Sequence, residues 1–315
     1  MLAAIVRDNR LTVKTIADPV PRAHEALVRV AASSVNQGEV RAIHSQPHWQ
    51  LTSPGEEGWC PGWDFAGIIE RPAEDGSGPA AGTRIVGWTR QGAWAEKVAA
   101  PADQMVTIPD ELGFAEAATL PIAGLTAWHA LRVGGLAKGK SVLVTGATGG
   151  VGRFAIQLAS VAGAEATAVV TSASRAETLA PFGCHVAIGM PERGSFDIIL
   201  ECIGGASLAT AMQIVAAYGA IVSYGNASGE STTFEAGAAF RKPCLTLHSF
   251  ALYDELARRT SNAEGLDTMA GMLATGLLKV DIVLTKELHE VADACDALMA
   301  RKVDGKAVLR IGRSE

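Results

Sequence analysis

The stretch Ser141-Val-Leu-Val-Thr-Gly-Ala-Thr-Gly-Gly-Val-Gly152 decides how this chain folds. A short apolar run enters a glycine-rich turn, and Phe154, Ala155, Leu158 and Val161 then recur at helical spacing until Gly163. A buried strand that turns tightly into a helix leaves the first N–H groups of that helix unpaired. Its positive end then faces the turn, where a pyrophosphate can sit. Measured against G-x-G-x-x-G, Ala147 replaces the first glycine. Gly149 and Gly152 keep the second and third, for close phosphate approach and for helix-strand packing. A further strand pattern over 165–170 places the motif in a strand-turn-helix-strand unit, which raises it from a structural glycine turn to a dinucleotide site.

The residues after that second strand bear on which nicotinamide cofactor is bound. A carboxylate about 20 residues beyond the glycine turn would accept a ribose 2′-hydroxyl. The chain instead reads Thr171-Ser-Ala-Ser-Arg175. Ser172, Ser174 and the Arg175 guanidinium can bond and neutralise a 2′-phosphate, so NADPH is expected, with a solvated helix-start arginine as the bland reading. The same turn also fits the T-G-x-x-x-G-x-G pattern of short-chain dehydrogenases, which need a Tyr four residues before a Lys. Tyr218, Tyr224 and Tyr253 are followed at that distance by Val222, Ser228 and Ala257, so that chemistry is excluded.

Working outward, segments beyond Leu125 alternate strand-like runs (141–145, 166–170, 196–201, 220–223) with helical ones, which predicts a parallel sheet covered on both faces. Before about Asp110, short β-branched runs punctuated by Gly and Pro predict a small barrel-like β unit. After about Tyr253 the pattern predicts a long helical segment and a strand at 281–284. Next comes a helix whose Leu288, Val291, Ala292, Cys295, Leu298 and Met299 face a core, and then a last strand at 306–311.

Composition bounds the rest. The 315 residues suffice for about two domains. With 48% hydrophobic and 19% charged residues the chain is neither disordered nor coiled coil. A net charge of −6 without a basic cluster argues against nucleic acid and anionic membranes as partners. The apolar run Met1 to Val6 ends at Arg7 and Asp8, too short for a signal peptide. No stretch is long and apolar enough to span a bilayer. Five scattered cysteines, Cys60, Cys184, Cys202, Cys244 and Cys295, form no C-x-x-C pair and are expected to be reduced, mostly buried thiols in a cytoplasm. His44 and His48 flank Pro47, which breaks helical presentation of a metal pair, and no metal is expected.

Several blocks together resemble the medium-chain dehydrogenase/reductase superfamily, and within it the zinc-free quinone oxidoreductases related to zeta-crystallin. They are Ser33-Ser-Val-Asn36, Pro61-Gly-Trp-Asp-Phe-Ala-Gly67, Gly82-Thr-Arg-Ile-Val-Gly87, Leu120-Pro-Ile-Ala-Gly-Leu-Thr-Ala127, the glycine turn, Ser223-Tyr-Gly-Asn-Ala-Ser-Gly229 and Gly305-Lys-Ala-Val-Leu-Arg310. The resemblance implies an α/β fold. A doubly wound Rossmann domain over 123–255 would join a GroES-like β-barrel domain over 1–122 that is completed by 256–315, with the active site in the cleft between them. Zinc-dependent relatives use a Cys and a His-Glu pair where this chain has Asn36 and Trp63-Asp64. By resemblance, Asn36 faces the nicotinamide and donates its amide to the acceptor oxygen; otherwise it is a strand-end turn residue. The resemblance also assigns Thr126 to the nicotinamide ribose. It assigns Ala147, Thr148, Gly149, Gly150 and Val151 to the pyrophosphate, Ile203 to the adenosine edge, Tyr224, Gly225 and Asn226 to the cofactor groove, and Phe250 to the nicotinamide.

Arg41 stands where many relatives carry an aromatic residue, and Met190 near where many place a Tyr over adenine. Trp49, Trp59 and Trp63 either stack a planar acceptor or fill the core, so Arg41, Trp49 and Trp63 are the candidate pocket residues. Asp64 is expected to pair with a basic group such as Arg310. Without a Lewis acid, hydride addition to a conjugated acceptor is the feasible chemistry. The expectation is a zinc-independent NADPH reductase of small-molecule quinones or α,β-unsaturated carbonyls. An enoyl-thioester reductase and a noncatalytic NADPH-binding protein are the alternatives. A homodimer through an edge strand near 244–250 is also expected.

Overall fold

The computed structural model describes residues 1–45, 58–239, 241–259 and 263–312. The chain divides into two compact units, Met1–Ala123 with Thr260–Glu315, and Gly124–Arg259.

The second unit is built on six strands: β8 (Ser141–Val144), β9 (Glu165–Val170), β10 (His185–Ile188), β11 (Phe196–Glu201), β12 (Val215–Ser223) and β13 (Thr246–Ser249). Their order is β10-β9-β8-β11-β12-β13, and every pairing is parallel. This is the doubly wound order, with its switch point between β8 and β11. Apolar runs make β8 and β11 strands because both faces are covered: Val142, Leu143, Val144, Ile198, Ile199 and Leu200 are all buried. The helix Gly150–Val161 covers one face with Phe154, Ala155 and Leu158.

The first unit holds a hairpin, β1 (Leu2–Arg7) with β2 (Arg10–Thr15). Its main sheet comprises β3 (Glu25–Val35), β4 (Asp64–Arg71), β5 (Arg84–Trp88), β6 (Lys97–Pro101), β7 (Met105–Thr107), β14 (Ile282–Glu287) and β15 (Lys306–Arg310). The order is β14-β15-β3-β4-β5-β7, with β6 also on β3. β15 pairs antiparallel with β3, so the last strand of the chain completes a sheet begun by the third. The core gathers Phe65, Trp94, Ile69, Ile85, Val291, Cys295 and Leu309.

Three sequence readings need correction. The long helical segment after Tyr253 is two shorter helices, Leu252–Ala257 and Leu266–Ala274. In the helix Val291–Met299, Ala294 faces the core, while Ala292 and Met299 are exposed, because Leu288 lies in a preceding 3₁₀ turn that shifts the helical phase. Only Cys295 among the cysteines is buried; Cys60, Cys184 and Cys202 are half-buried and Cys244 is exposed.

Gly67 shows how closely β3 and β4 approach. A Cβ there would lie 2.1 Å from the Arg29 carbonyl oxygen, a backbone atom that cannot step aside. Gly67→Ala should therefore destabilise the first unit by at least about 2 kcal/mol. A urea unfolding midpoint indistinguishable from wild type would refute this packing.

Candidate functional site

The residues of the nucleotide-site reading lie in the second unit, at the carboxyl ends of its parallel strands. β8 runs into Gly146, whose φ of +59° is left-handed and whose added Cβ would sit 2.6 Å from Cys202 Sγ. Gly149 is the N-cap of the helix Gly150–Val161, and no side chain caps it. The first-turn N–H groups are therefore open to an anionic ligand. A Cβ on Gly152 would lie 2.6 Å from both Ala147 Cα and the Gly146 oxygen, so the helix start packs directly on the turn. Arg153 braces the turn from behind: Nε donates to the Thr148 carbonyl at 2.9 Å and the guanidinium reaches Thr178. Together, uncapped donors and side-chain-free positions make a cradle that fits a pyrophosphate.

The segment 224–228 lies along the end of β11. Tyr224 N–H donates to the Glu201 oxygen, Ala227 N–H to Cys202 and Ser228 N–H to Ile203, at 2.8–2.9 Å. This brings Ile203, Tyr224, Gly225 and Asn226 to the same sheet end as the turn, and Tyr224 Oη donates to the Thr145 oxygen at 3.5 Å. Burial pushes the Tyr224 phenol well above its ordinary range, so it is a neutral donor. Phe250 is buried and tied by its N–H to Ser223. Thr126 is buried in the first turn of the helix Leu125–Val133. Beyond β9, Ser172 accepts from the Arg175 backbone N–H and its hydroxyl lies 2.9 Å from that of Ser174, which places the three residues on one short turn. Sequence reading missed Glu201. Its buried carboxylate accepts from Ile203 N, Gly204 N and Ser207 Oγ at 2.8–3.0 Å, and so shapes the turn that carries Ile203.

The first unit holds a different arrangement around Asn36, at the end of β3. Asn36 Nδ2 donates to Asp64 Oδ2 at 2.7 Å and to Glu39 Oε2 at 3.1 Å, while Oδ1 accepts from Lys306 Nζ at 2.9 Å. Glu39 Oε2 also accepts from Asn36 N at 2.6 Å, and Oε1 from Trp63 N at 2.5 Å. Asp64 accepts from Ser34 Oγ and, on Oδ1, from Ile122 N at 2.7 Å. Glu39, Asp64 and Lys306 are 1%, 0% and 4% exposed, and Lys306 lies 4.0 Å from Asp64. Desolvation first, then the neighbouring Asp64 charge, raises the Glu39 pKa to about 8. Burial also pushes Asp64 up against the pull of Lys306, and pushes Lys306 down.

Comparison with known proteins bears on both constellations. Residues 152–309 match the family model for a zinc-binding dehydrogenase, and residues 22–110 match that for an alcohol dehydrogenase GroES-like domain. The chain belongs to the medium-chain dehydrogenase/reductase superfamily. It is 28% identical over 324 residues to a component of the phenolphthiocerol/phthiocerol polyketide synthase of Mycobacterium tuberculosis, covering 97% of this chain and 14% of that protein. It thus spans about a seventh of that relative's length. A CurK enoyl reductase superposes with a TM-score of 0.84 at 23% identity, covering 99% of each chain. An Escherichia coli quinone oxidoreductase complexed with NADPH superposes with a TM-score of 0.84 at 21% identity, covering 98% of each.

The superfamily's zinc description does not fit the donors here. Of the three residues that the sequence set against zinc ligands, Asn36 and Trp63 offer an amide and an indole, and Asp64 spends both oxygens inside the protein. Among the described residues no group of three or more His, Cys, Asp or Glu converges on a common point.

The structure also corrects one expectation for this member of the medium-chain dehydrogenase/reductase superfamily. Asp64 faces Lys306, not Arg310: Lys306 precedes Ala307, the partner of Val35 beside Asn36, whereas Arg310 lies exposed at the other end of β15, opposite Ala32. Both N–H bonds of the Asn36 amide are directed at buried carboxylates. Lys306 was within reach of sequence reading, since it lies four residues before Arg310 in the same quoted block. Trp63 and Arg41 are half-buried, and Trp49 lies outside the described residues.

The Glu39 shift sets a sign for stability against pH. Between the ordinary carboxylate value of 4.5 and about 8, the folded chain holds a proton that the unfolded chain has released. The contribution is complete on the acid side and is lost as pH rises through about 8. Lys306 works the other way, gaining as pH rises above its lowered value. Glu39→Gln should flatten the fall in Tm between about pH 5 and pH 8. Parallel Tm profiles for wild type and variant would contradict the assignment.

Proposed function

We propose that the chain is an NADPH-dependent, zinc-independent reductase that adds hydride to small quinones or α,β-unsaturated carbonyls. The observation that carries this reading is the uncapped phosphate turn after β8, paired with an acid-free 171–175 stretch in which Ser172, Ser174 and Arg175 gather at the end of β9. A carboxylate there would repel a 2′-phosphate, whereas hydroxyls and a guanidinium hold it. The E. coli quinone oxidoreductase of the same fold is described as complexed with NADPH, which supports the choice.

When bound, NADPH supplies a hydride, and a conjugated acceptor takes it at carbon and leaves charge on its oxygen. The protein's part is to hold the pyrophosphate at Ala147, Thr148, Gly149, Gly150 and Val151 and to brace the turn through Arg153. Ile203, Tyr224, Gly225 and Asn226 line the cofactor groove. Thr126 and Phe250 are assigned to the nicotinamide end, and Asn36 donates to the developing oxyanion. Arg41 and Trp63 shape the acceptor side.

Similarity to the mycobacterial polyketide synthase and to CurK enoyl reductase favours an enoyl thioester as the second acceptor class. Both acceptors need the same step, hydride to an electron-poor carbon with charge relayed to a carbonyl oxygen. In the same reading the chain works in the cytoplasm, and a second copy pairs along β13, which forms one edge of its sheet and leaves Leu247 48% exposed.

Loss of reduced-nicotinamide absorbance with matched quinones, enones and enoyl thioesters separates the acceptor classes. Tight NADPH binding with no turnover of any of them would instead favour a binding protein. Arg175→Ala should raise the KM for NADPH about tenfold or more and leave that for NADH within about twofold. An unchanged NADPH/NADH ratio would remove Arg175 from the site.

A further inference from the structure

The Asn36 cluster contains more than a held amide. Two carboxyl groups, Glu39 and Asp64, share one ammonium, Lys306, and all three are buried. A second buried negative charge has no partner among these groups unless one carboxyl keeps a proton. Each carboxyl accepts three hydrogen bonds, and proximity to the ammonium indicates which one. Asp64 lies against Lys306 and accepts on both oxygens from Ser34, Asn36 and Ile122. Glu39 has only backbone N–H donors and the longer Asn36 contact.

Its two oxygens are not equivalent. Oε1 receives the Trp63 N–H at 2.5 Å, whereas Oε2 receives two donors, Asn36 N at 2.6 Å and Asn36 Nδ2 at 3.1 Å. A proton on the carboxyl removes the charge that strengthens all three bonds. The 3.1 Å bond from Asn36 Nδ2 is the longest of them and is the first to weaken. The Asp64 bond at 2.7 Å remains and keeps the amide oriented.

We propose, building on the reductase reading, that Glu39 is a positioning residue for Asn36. Protonation of Glu39 weakens its hold on one Nδ2 hydrogen of Asn36, which the acceptor oxygen then shares, and loss of that proton locks the amide. Asn36 is itself half-buried, so part of its side chain is accessible. The raised Glu39 value of about 8 places the change within the working range of a cytoplasmic enzyme. The groups facing Glu39 are Asp64 from β4, Lys306 from β15 and the Cys295 thiol from the helix Val291–Met299. Burial and the Glu39 charge push that thiol up to about 12, so it stays neutral throughout.

Two measurements test the proposal. In the substrate-free protein, the Glu39 side-chain carboxyl ¹³C resonance should titrate on the alkaline side of neutrality, and an Asn36 side-chain amide proton should shift with the same midpoint. A Glu39 carboxyl ionised across pH 5 to 9, or an Asn36 amide that ignores its titration, overturns the link. In turnover, kcat/KM for the best acceptor should fall about tenfold from pH 7 to pH 9, and Glu39→Gln should reduce that change to within about twofold. The same alkaline limb in Glu39→Gln overturns it as well. Should that variant not fold, the substrate-free titration decides alone. Absence of turnover with every acceptor refutes the reductase reading, while the titration still decides the Glu39–Asn36 link.

Discussion

The burial of two carboxyl groups with a single ammonium is the constraint on which the first unit depends. Each charged group would be costly alone, and each is kept by a donor drawn from a different part of the chain. Asp64 reaches Ser34 on β3 and the backbone of Ile122. Glu39 reaches back to Asn36 and across to the Trp63 N–H. Lys306 joins Asn36 across 270 residues of sequence, so the last strand enters the sheet with its charge already assigned. Removing one member leaves another buried without compensation, so the cluster ties register, strand order and the Asn36 amide into one arrangement.

The second unit meets its constraint in the opposite way. Its site is made from backbone: a left-handed glycine, an uncapped helix start and a close approach at Gly152 that any side chain would block. Side chains act behind this surface. Arg153 holds the Thr148 carbonyl from one side, and Glu201 holds the N–H groups of Ile203 and Gly204 from the other. Both are buried charged residues whose function is to fix loops. A surface of fixed N–H groups suits an anion that must bind and leave, because it needs no rearrangement of long side chains.

This difference explains what can be read from sequence. The glycine turn, the strand runs at 141–144 and 196–201 and the doubly wound sheet are legible because local spacing dictates them. β10 is not legible, since its His185–Ile188 run is short and largely exposed and forms a strand only by pairing with β9. The helical phase around Leu288 misleads because a 3₁₀ turn precedes the helix. The Asn36 cluster is half legible. Asn36 and Asp64 stand out through resemblance, but Glu39 has the look of an ordinary first-turn acid, and Arg310 draws attention away from Lys306. The register of β15 on β3, which sets Ala307 opposite Val35, is a long-range fact that no local pattern carries.

Glu39 also links the amide to the neighbouring aromatic surface. Its Oε1 holds the Trp63 N–H, and the Trp63 indole packs on the helix start so closely that a Cβ on Gly38 would lie 2.8 Å from the ring. The indole, the absence of a side chain at Gly38 and the carboxyl of Glu39 therefore form one contiguous set between Asn36 and the surface beside it. A larger residue at 38 would displace the ring and, through the Trp63 backbone, the Glu39 oxygen that fixes the carboxyl's orientation. The shape of the surface beside Asn36 and the direction of the Asn36 N–H bonds are thus set by the same few atoms, and changing one without the other requires a residue that preserves the Glu39–Trp63 backbone bond.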